Sequence, residues 1–322
     1  MVVALLRRLE ELEKKLYEDK KMKRLLLGLA ILVIPQGLWA VSKGVCGAQF
    51  LKIDPVARPA SMGGAFSALA DDASAGYYNP AGLAQLRMAE AITCGGLWID
   101  ETRYGFIGYS APISRDNALG VSALYLQTPK MSGYDEKGKD YWKTEDFDAK
   151  DLAVSFSYSQ RFSPRNYFGL SAKWISQQIE KEKTSNFAID AGQIYKMDGL
   201  SLAVVVANIG PKIKFIREED KMPLTLKLGA VYRLMDEDAK LLLDLVKPLD
   251  NNWKVCLGTE WQINRNLTLR GGYNSQVFSD LGIGVSLGAG LKLGTFQLDY
   301  AYIPYNELGD THRLSFTTHF GK

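Results

Sequence analysis

Residues 281–293 read LGIGVSLGAGLKL, and their alternation decides the class of fold. Odd positions carry Leu281, Ile283, Val285, Leu287, Ala289, Leu291 and Leu293, whereas even positions carry Gly282, Gly284, Ser286, Gly288, Gly290 and Lys292. In an extended chain successive side chains point to opposite faces, so this stretch has one apolar face and one small or polar face. The same pattern recurs at 224–233, 267–274 and 313–320, and helical periodicity is missing from this part of the chain.

Outward from that stretch, alternation marks about fourteen segments: 89–99, 102–111, 118–128, 147–162, 167–179, 187–196, 200–215, 224–234, 239–246, 253–263, 267–274, 281–293, 295–303 and 311–320. Most run about ten residues, the length of a tilted membrane-spanning strand. Connectors after even-numbered segments are tight (112–117, 163–166, 235–238, 264–266), whereas those after odd-numbered segments include the longest, 129–146, 180–186, 210–223 and 304–310. A bacterial outer-membrane barrel alternates short periplasmic turns with longer outer loops in this way. Aromatic residues at segment ends (Trp98, Tyr104, Tyr109, Trp174, Tyr195, Trp253, Trp261, Tyr302, Tyr305) suit interfacial girdles. A soluble β-sandwich would share the alternation, but the even count and the aromatics favour a closed barrel, which leaves no exposed edge. The expected fold is all-β, a transmembrane antiparallel up-and-down β-barrel of about 14 strands over 89–322, with an N-terminal hatch segment containing short helices. Lys173, Asp190, Lys227, Arg233, Asp244, Glu260, Arg270 and Asp299 fall on the polar face and are expected in the lumen.

The chain has 322 residues, with 39 Lys and Arg against 36 Asp and Glu. Nine of those basic and five of those acidic residues precede residue 49, so the remainder is nearly neutral, 30 against 31. Such a balance offers no general attraction for nucleic acid. Three cysteines and two histidines supply neither a disulfide framework nor a zinc ligand set, so no metal or cofactor is expected. Only one apolar run, 25–41, approaches the length of a spanning helix, which excludes a polytopic helical protein. That run follows a basic cluster and ends in small residues, the layout of a secretory signal peptide over 22–48. Residues 1–21 read as a charged helix or an upstream extension, with translation expected to start at Met22.

Residues 49–88 are rich in Gly and Ala and form the expected hatch. The spacing predicts one helix over 62–69, ending near Asp71 and Asp72, and a second over 81–86 with Asn79 as N-cap and Pro80 at its first position. The two aspartates read as a turn or helix cap in preference to a metal pair, because no third ligand is nearby. Gly284-Val285-Ser286-Leu287-Gly288 matches a nucleophile elbow, with Asp299 and His312 following in hydrolase order. The elbow needs a sharp strand-to-helix turn, whereas Ser286 stands inside an alternating strand. A hydrolase using Ser286 is therefore a distant alternative, no catalytic residue is expected, and the glycines are read as small inward positions that make room for the hatch.

The run 57–74, ARPASMGGAFSALADDAS, followed by YYNPAGL at 77–83, resembles the signature of the PorV/PorQ family of bacterial outer-membrane proteins. Those proteins are distant relatives of the FadL long-chain fatty-acid transporters, which share the Asn-Pro-Ala element. ANIG at 207–210, MPL at 222–224, KLGA at 227–230 and LGDTHRLS at 308–315 agree with the same family. The resemblance implies a fourteen-strand barrel whose N-terminal segment folds inward. It also implies a non-enzymatic role in the bacterial outer membrane, moving a hydrophobic small molecule or handing over a secreted cargo protein. The alternative is a structural outer-membrane protein without transport. Partners are then membrane lipid, the substrate or cargo, and the barrel-assembly machinery; such barrels usually finish on an aromatic residue, whereas here Phe320 is followed by Gly321 and Lys322. Candidate hatch and ligand contacts are Met62, Ala65, Phe66, Leu69, Asp71, Asp72, Tyr77, Asn79 and Pro80, and candidate partner contacts on an outer loop are Tyr134, Tyr141 and Trp142.

Overall fold

The computed structural model describes residues 45 to 321, apart from 138–139, 216, 235–237 and 281–283. The expected charged extension and nearly all of the expected signal peptide lie outside the described residues.

Fourteen strands close into one antiparallel barrel. In chain order they are β1 (Ala89–Leu97), β2 (Arg103–Pro112), β3 (Asn117–Gln127), β6 (Ala149–Ser163), β7 (Asn166–Ile179), β8 (Glu182–Lys196) and β9 (Leu200–Ile209) in the first half. The second half is β12 (Thr225–Leu234), β13 (Ala239–Pro248), β14 (Lys254–Gln262), β15 (Leu267–Asn274), β16 (Val285–Leu293), β17 (Phe296–Pro304) and β18 (Asp310–Phe320). Two small hairpins stand outside the barrel sheet, β4 (Tyr134–Lys137) with β5 (Asp140–Lys143), and β10 (Ile213–Phe215) with β11 (Glu218–Asp220). Each barrel strand pairs with its predecessor in the wall, and β1 pairs with β18 from Ala89 opposite Phe320 to Gly95 opposite Leu314. Closure satisfies the edge amides that an open sheet would leave exposed.

The wall sorts side chains as alternation requires. Ile107, Phe156, Phe187, Leu241, Leu287 and Leu314 point out and are exposed, while their neighbours Phe106, Ser157, Ala188, Leu242, Ser286 and Arg313 point in and are buried. An apolar exterior continued around the whole wall is the surface of a membrane-spanning barrel, far beyond the patches that soluble proteins expose.

Several expected boundaries shift. Of the stretch expected over 281–293, the first three residues lie outside the described residues, Gly284 adopts φ +76°, and the described strand begins at Val285; a short helix spans Ser275–Asp280. The segment expected over 200–215 leaves the barrel after Ile209, and its last three residues pair with 218–220 instead. The outer loop expected at 180–186 is a tight turn, since Ile179 already pairs with Glu182 and Glu180 takes φ +54°. Polar residues of β7 and β8 continue the ladder past the apolar belt, so hydrophobicity does not mark where the strands stop.

The hatch contains helix α1 (Ala57–Ser61), helix α2 (Ala75–Tyr78) and a 3₁₀ turn, Pro80–Gln85. The helix expected over 62–69 is absent: Gly63 and Gly64 take φ of +65° and +85°, a left-handed backbone that ends α1 and leaves turns. The second expectation is close, because the Asn79 side chain accepts a hydrogen bond from the Ala81 amide at 3.1 Å and Pro80 begins the 3₁₀ turn.

Candidate functional site

The hatch passes through the lumen and is seated by wall side chains that bond its backbone. Asp244 accepts from the amides of Phe66 and Ser67 at 3.2 and 3.0 Å. Ser286 accepts from the Gly63 amide and donates to the Ser61 carbonyl, both at 3.0 Å. Ser315 accepts from the Ala57 amide at 2.9 Å, and Ser171 donates to the Gly76 carbonyl at 3.0 Å. Short polar side chains suit this work because each satisfies a buried backbone group that would otherwise lose water without compensation. Wall glycines admit the hatch itself: a Cβ on Gly272 would strike the backbone of Met62 and Gly63, and one on Gly288 would strike Ser61. The glycine reading of the sequence therefore holds at Gly288, while Gly290 makes room for the side chains of Arg270 and Asp299.

At the centre of the lumen the hatch is apolar. Met62, Ala65, Phe66, Leu69 and Tyr78 are buried, and Phe66 meets Tyr78 edge-on at 5.4 Å between ring centroids. Tyr77 bridges this cluster to Phe106 of the wall at 5.8 Å, and its hydroxyl donates to the carbonyls of Leu51 and Ile53 at 3.0 and 2.8 Å.

Toward the short-turn end lies a polar cavity of about 210 Å³, organised by Arg58. Its guanidinium bonds Glu260 twice, at 2.8 and 3.0 Å, and reaches Asp71 at 2.7 Å and Asp72 at 2.9 Å. Glu260 also receives Lys240 at 2.7 Å and Arg270 at 2.8 Å, and Arg270 continues to Asp299 at 2.7 Å. Asp72 further accepts from the amide and hydroxyl of Ser74, at 2.9 and 2.5 Å, so it does act as a turn cap. Burial pushes its carboxyl up from the ordinary range, against the Arg58 charge and the Ser74 bonds that pull it down.

Toward the long-loop end lies a larger chamber of about 440 Å³, lined by apolar Leu51, Ile53, Tyr77, Trp98 and Val246 and by cationic Lys227, Lys254 and Arg313. Its rim ties the start of the hatch to an outer loop, because Asp250 accepts from Gln49 at 2.7 Å and from Lys52 at 2.9 Å. Burial works against the Asp250 charge, yet those hydrogen bonds and the Lys52 ammonium hold its carboxyl below the usual range. At the same rim, burial and the Asp250 charge push the Cys46 thiol up to about 11, so it is inert at neutral pH.

Of the residues singled out in the sequence, the structure gathers Met62, Ala65, Phe66 and Leu69 into the hatch core, Asp71 and Asp72 onto Arg58, and Asn79 and Pro80 against Gly192 and Gly169 of the wall. Only Tyr77 among them lines the outer chamber. Tyr134 and Trp142 sit on the β4–β5 hairpin, 67% and 46% exposed, and Tyr141 belongs to the same hairpin. Trp98, Tyr104 and Tyr305, expected in interfacial girdles, turn inward or toward the lumen, and Trp98 and Tyr305 line the chamber, whereas Tyr195 keeps the outward parity of Phe187 and Ile189 on β8. Inward parity was the available signal for Tyr104, since it alternates with outward Ile107 and Tyr109 on β2. Arg58 carried no signal, because its partners are up to 202 positions away. Ser286 lies on a regular strand with its hydroxyl engaged, Asp299 is bound to Arg270, and His312 faces outward against Tyr300 at 2.7 Å, so the three hydrolase-ordered residues do not converge.

No protein-family profile matches the chain, and no curated relative does. Solved structures do share its fold. The toluene transporter TodX of P. putida is 13% identical, over 83% of this chain and 99% of that one, with a TM-score of 0.61. The toluene transporter TbuX of Ralstonia pickettii is 14% identical over 84% and 98%, at 0.59. A FadL homologue of Pseudomonas aeruginosa is 14% identical over 83% and 98%, at 0.54. The chain thus has the FadL-type barrel fold.

Proposed function

We propose that this chain is an outer-membrane barrel of the PorV/PorQ type that passes small molecules with a hydrophobic part from the outside toward the periplasm. The observation that carries this reading is the division of the lumen: an apolar-walled chamber of about 440 Å³ beneath the long loops, a polar cavity of about 210 Å³ at the other end, and the hatch between them. A chamber of that size matches small-ligand sites, which are concave and mostly apolar with a few placed polar groups. The names of TodX and TbuX, both toluene transporters, support the same direction. The hatch closes the route as it stands, so passage requires its contacts with the wall to yield in part; most are single hydrogen bonds, worth about 0.5–1.5 kcal/mol each.

The test is uptake of radiolabelled toluene by cells that express the barrel, compared with vector-only cells and with cells expressing Asn251→Trp, which fills the chamber rim. Uptake several times above the vector, lost in the variant while the folded barrel is still present in the outer membrane, is expected. Uptake equal to the vector would overturn the reading.

A further inference from the structure

The outer chamber holds a set of cationic donors that the rest of the lumen does not resemble. Arg58, Lys173, Lys240 and Arg270 each meet a carboxylate in a salt bridge. Lys227, Lys254 and Arg313 line the chamber, and none of them forms a salt bridge with any described residue. Arg313 is 2% exposed, and its Nε and Nη1 have no hydrogen-bond partner among the described residues. Its remaining nitrogen reaches only the Tyr305 hydroxyl, at 3.5 Å, while its carbon centre stands 5.7 Å from the Tyr104 ring. Lys227 lies 5.7 Å from the Tyr78 ring and has no acceptor within bonding distance among the described residues. The Trp98 Nε1, on the same lining, is likewise unpartnered. Buried donors are nearly always satisfied in native proteins, and buried charges are nearly always paired.

The acidic residue on the lining that carries no salt bridge is Asp54, against three unpaired cations. The groups on the lining therefore sum to two positive charges in a site walled by Leu51, Ile53, Val246, Tyr77 and Trp98, and Asp244, a carboxylate off the lining whose field reaches Lys227 and Lys254, is already engaged by the Phe66 and Ser67 amides. Such a place favours an anion strongly, because low-dielectric walls concentrate the field of the fixed charges. A single carboxylate would leave one positive charge uncompensated; a doubly charged head matches the count.

We infer that the outer chamber is a binding site for a small organic dianion, its oxyanion head against Arg313, Lys227 and Lys254 and its apolar body against Trp98 and Tyr77. The inference rests on the transport reading for its purpose, since it names what waits above the hatch, but it does not depend on passage. Phosphate monoesters and dicarboxylates share the required head chemistry.

The test is calorimetric titration of the purified full chain in neutral detergent at pH 8, where a phosphate monoester is doubly ionised, its second pKa being about 6. The probes are phenyl phosphate, phthalate, benzoate and benzyl alcohol. Phenyl phosphate or phthalate is expected to bind at least tenfold tighter than benzoate and benzyl alcohol, less tightly as sodium chloride is raised, and which of the two leads tells a phosphate site from a dicarboxylate site. Arg313→Gln and, independently, Lys227→Gln should each weaken the dianion at least tenfold and leave benzyl alcohol unchanged, with folding of each variant checked by its heat-modifiable gel mobility. Dianion binding no tighter than benzyl alcohol, or unchanged in both variants, would overturn the inference. Toluene uptake without dianion binding would sink this inference and leave transport standing; dianion binding without uptake would do the reverse.

Discussion

Arg58 is the residue on which the inner half of the hatch depends. Its guanidinium joins two carboxylates of its own segment, Asp71 and Asp72, to Glu260 of the wall, and all but the partly exposed Asp71 are largely removed from water. The planar fork makes four hydrogen bonds here, two of them to Glu260, which is one more than the three donors of a lysine ammonium could supply. Arg58→Met should destabilise the protein by about 3–5 kcal/mol, because it strands buried charges instead of removing a pair cleanly. The expected observation is a lower midpoint for heat-induced unfolding in detergent together with a raised basal conductance in planar bilayers. An unchanged midpoint would show that the cluster contributes nothing. None of this was legible in the sequence: Asp71 and Asp72 invited attention as a pair, but the cation that explains them approaches through the fold. Asn79 and Pro80 were legible, because a cap and the residue that follows it act within one turn of chain.

At the scale of elements, each wall strand does two jobs with its two faces. The outward face of β15 and β16 meets lipid, whereas the inward face is shaped to the hatch by Gly272, Gly288 and Ser286. Gly272→Val should therefore displace residues 57–69, since the atoms it would strike are main chain of Met62 and Gly63 and cannot rotate aside. Overpacking of this kind costs about 1–3 kcal/mol. Gly271→Val is the matched control, because a Cβ there meets only Thr259 and Leu287 side-chain carbons at 3.6 and 4.0 Å on the other face. Hydrogen exchange should rise over 57–69 in the first variant and stay at the parent level in the second; equal behaviour would refute the close seating. Alternation told which face each residue occupies, but not that Gly63 and Gly64 would replace an expected helix with turns. Helical spacing of small residues is a weak signal, and two left-handed glycines override it.

The whole molecule is a closed wall with an occupied interior. Ile107, 61% exposed near the middle of β2, belongs to the lipid-facing belt. Ile107→Arg should cost about 2–4 kcal/mol if that position lies at the bilayer midplane, read as a reduced folded fraction on insertion into lipid vesicles. Indifference to the substitution would count against a spanning wall. What the sequence by itself determined is the barrel: strand number, the sense of each face, the distinct segment that precedes the wall, and the short turns, most of which follow from period-two patterning and local turn chemistry. The register in which β1 meets β18, the inward turn of Trp98 and Tyr305, the Arg58 cluster and the cationic outer chamber were decided only by tertiary structure. Those features depend on which strands become neighbours around a ring and on what the hatch leaves unfilled. Charge pairing is a matter of distances of a few ångströms, and residues separated by hundreds of positions acquire such distances only when the barrel is closed.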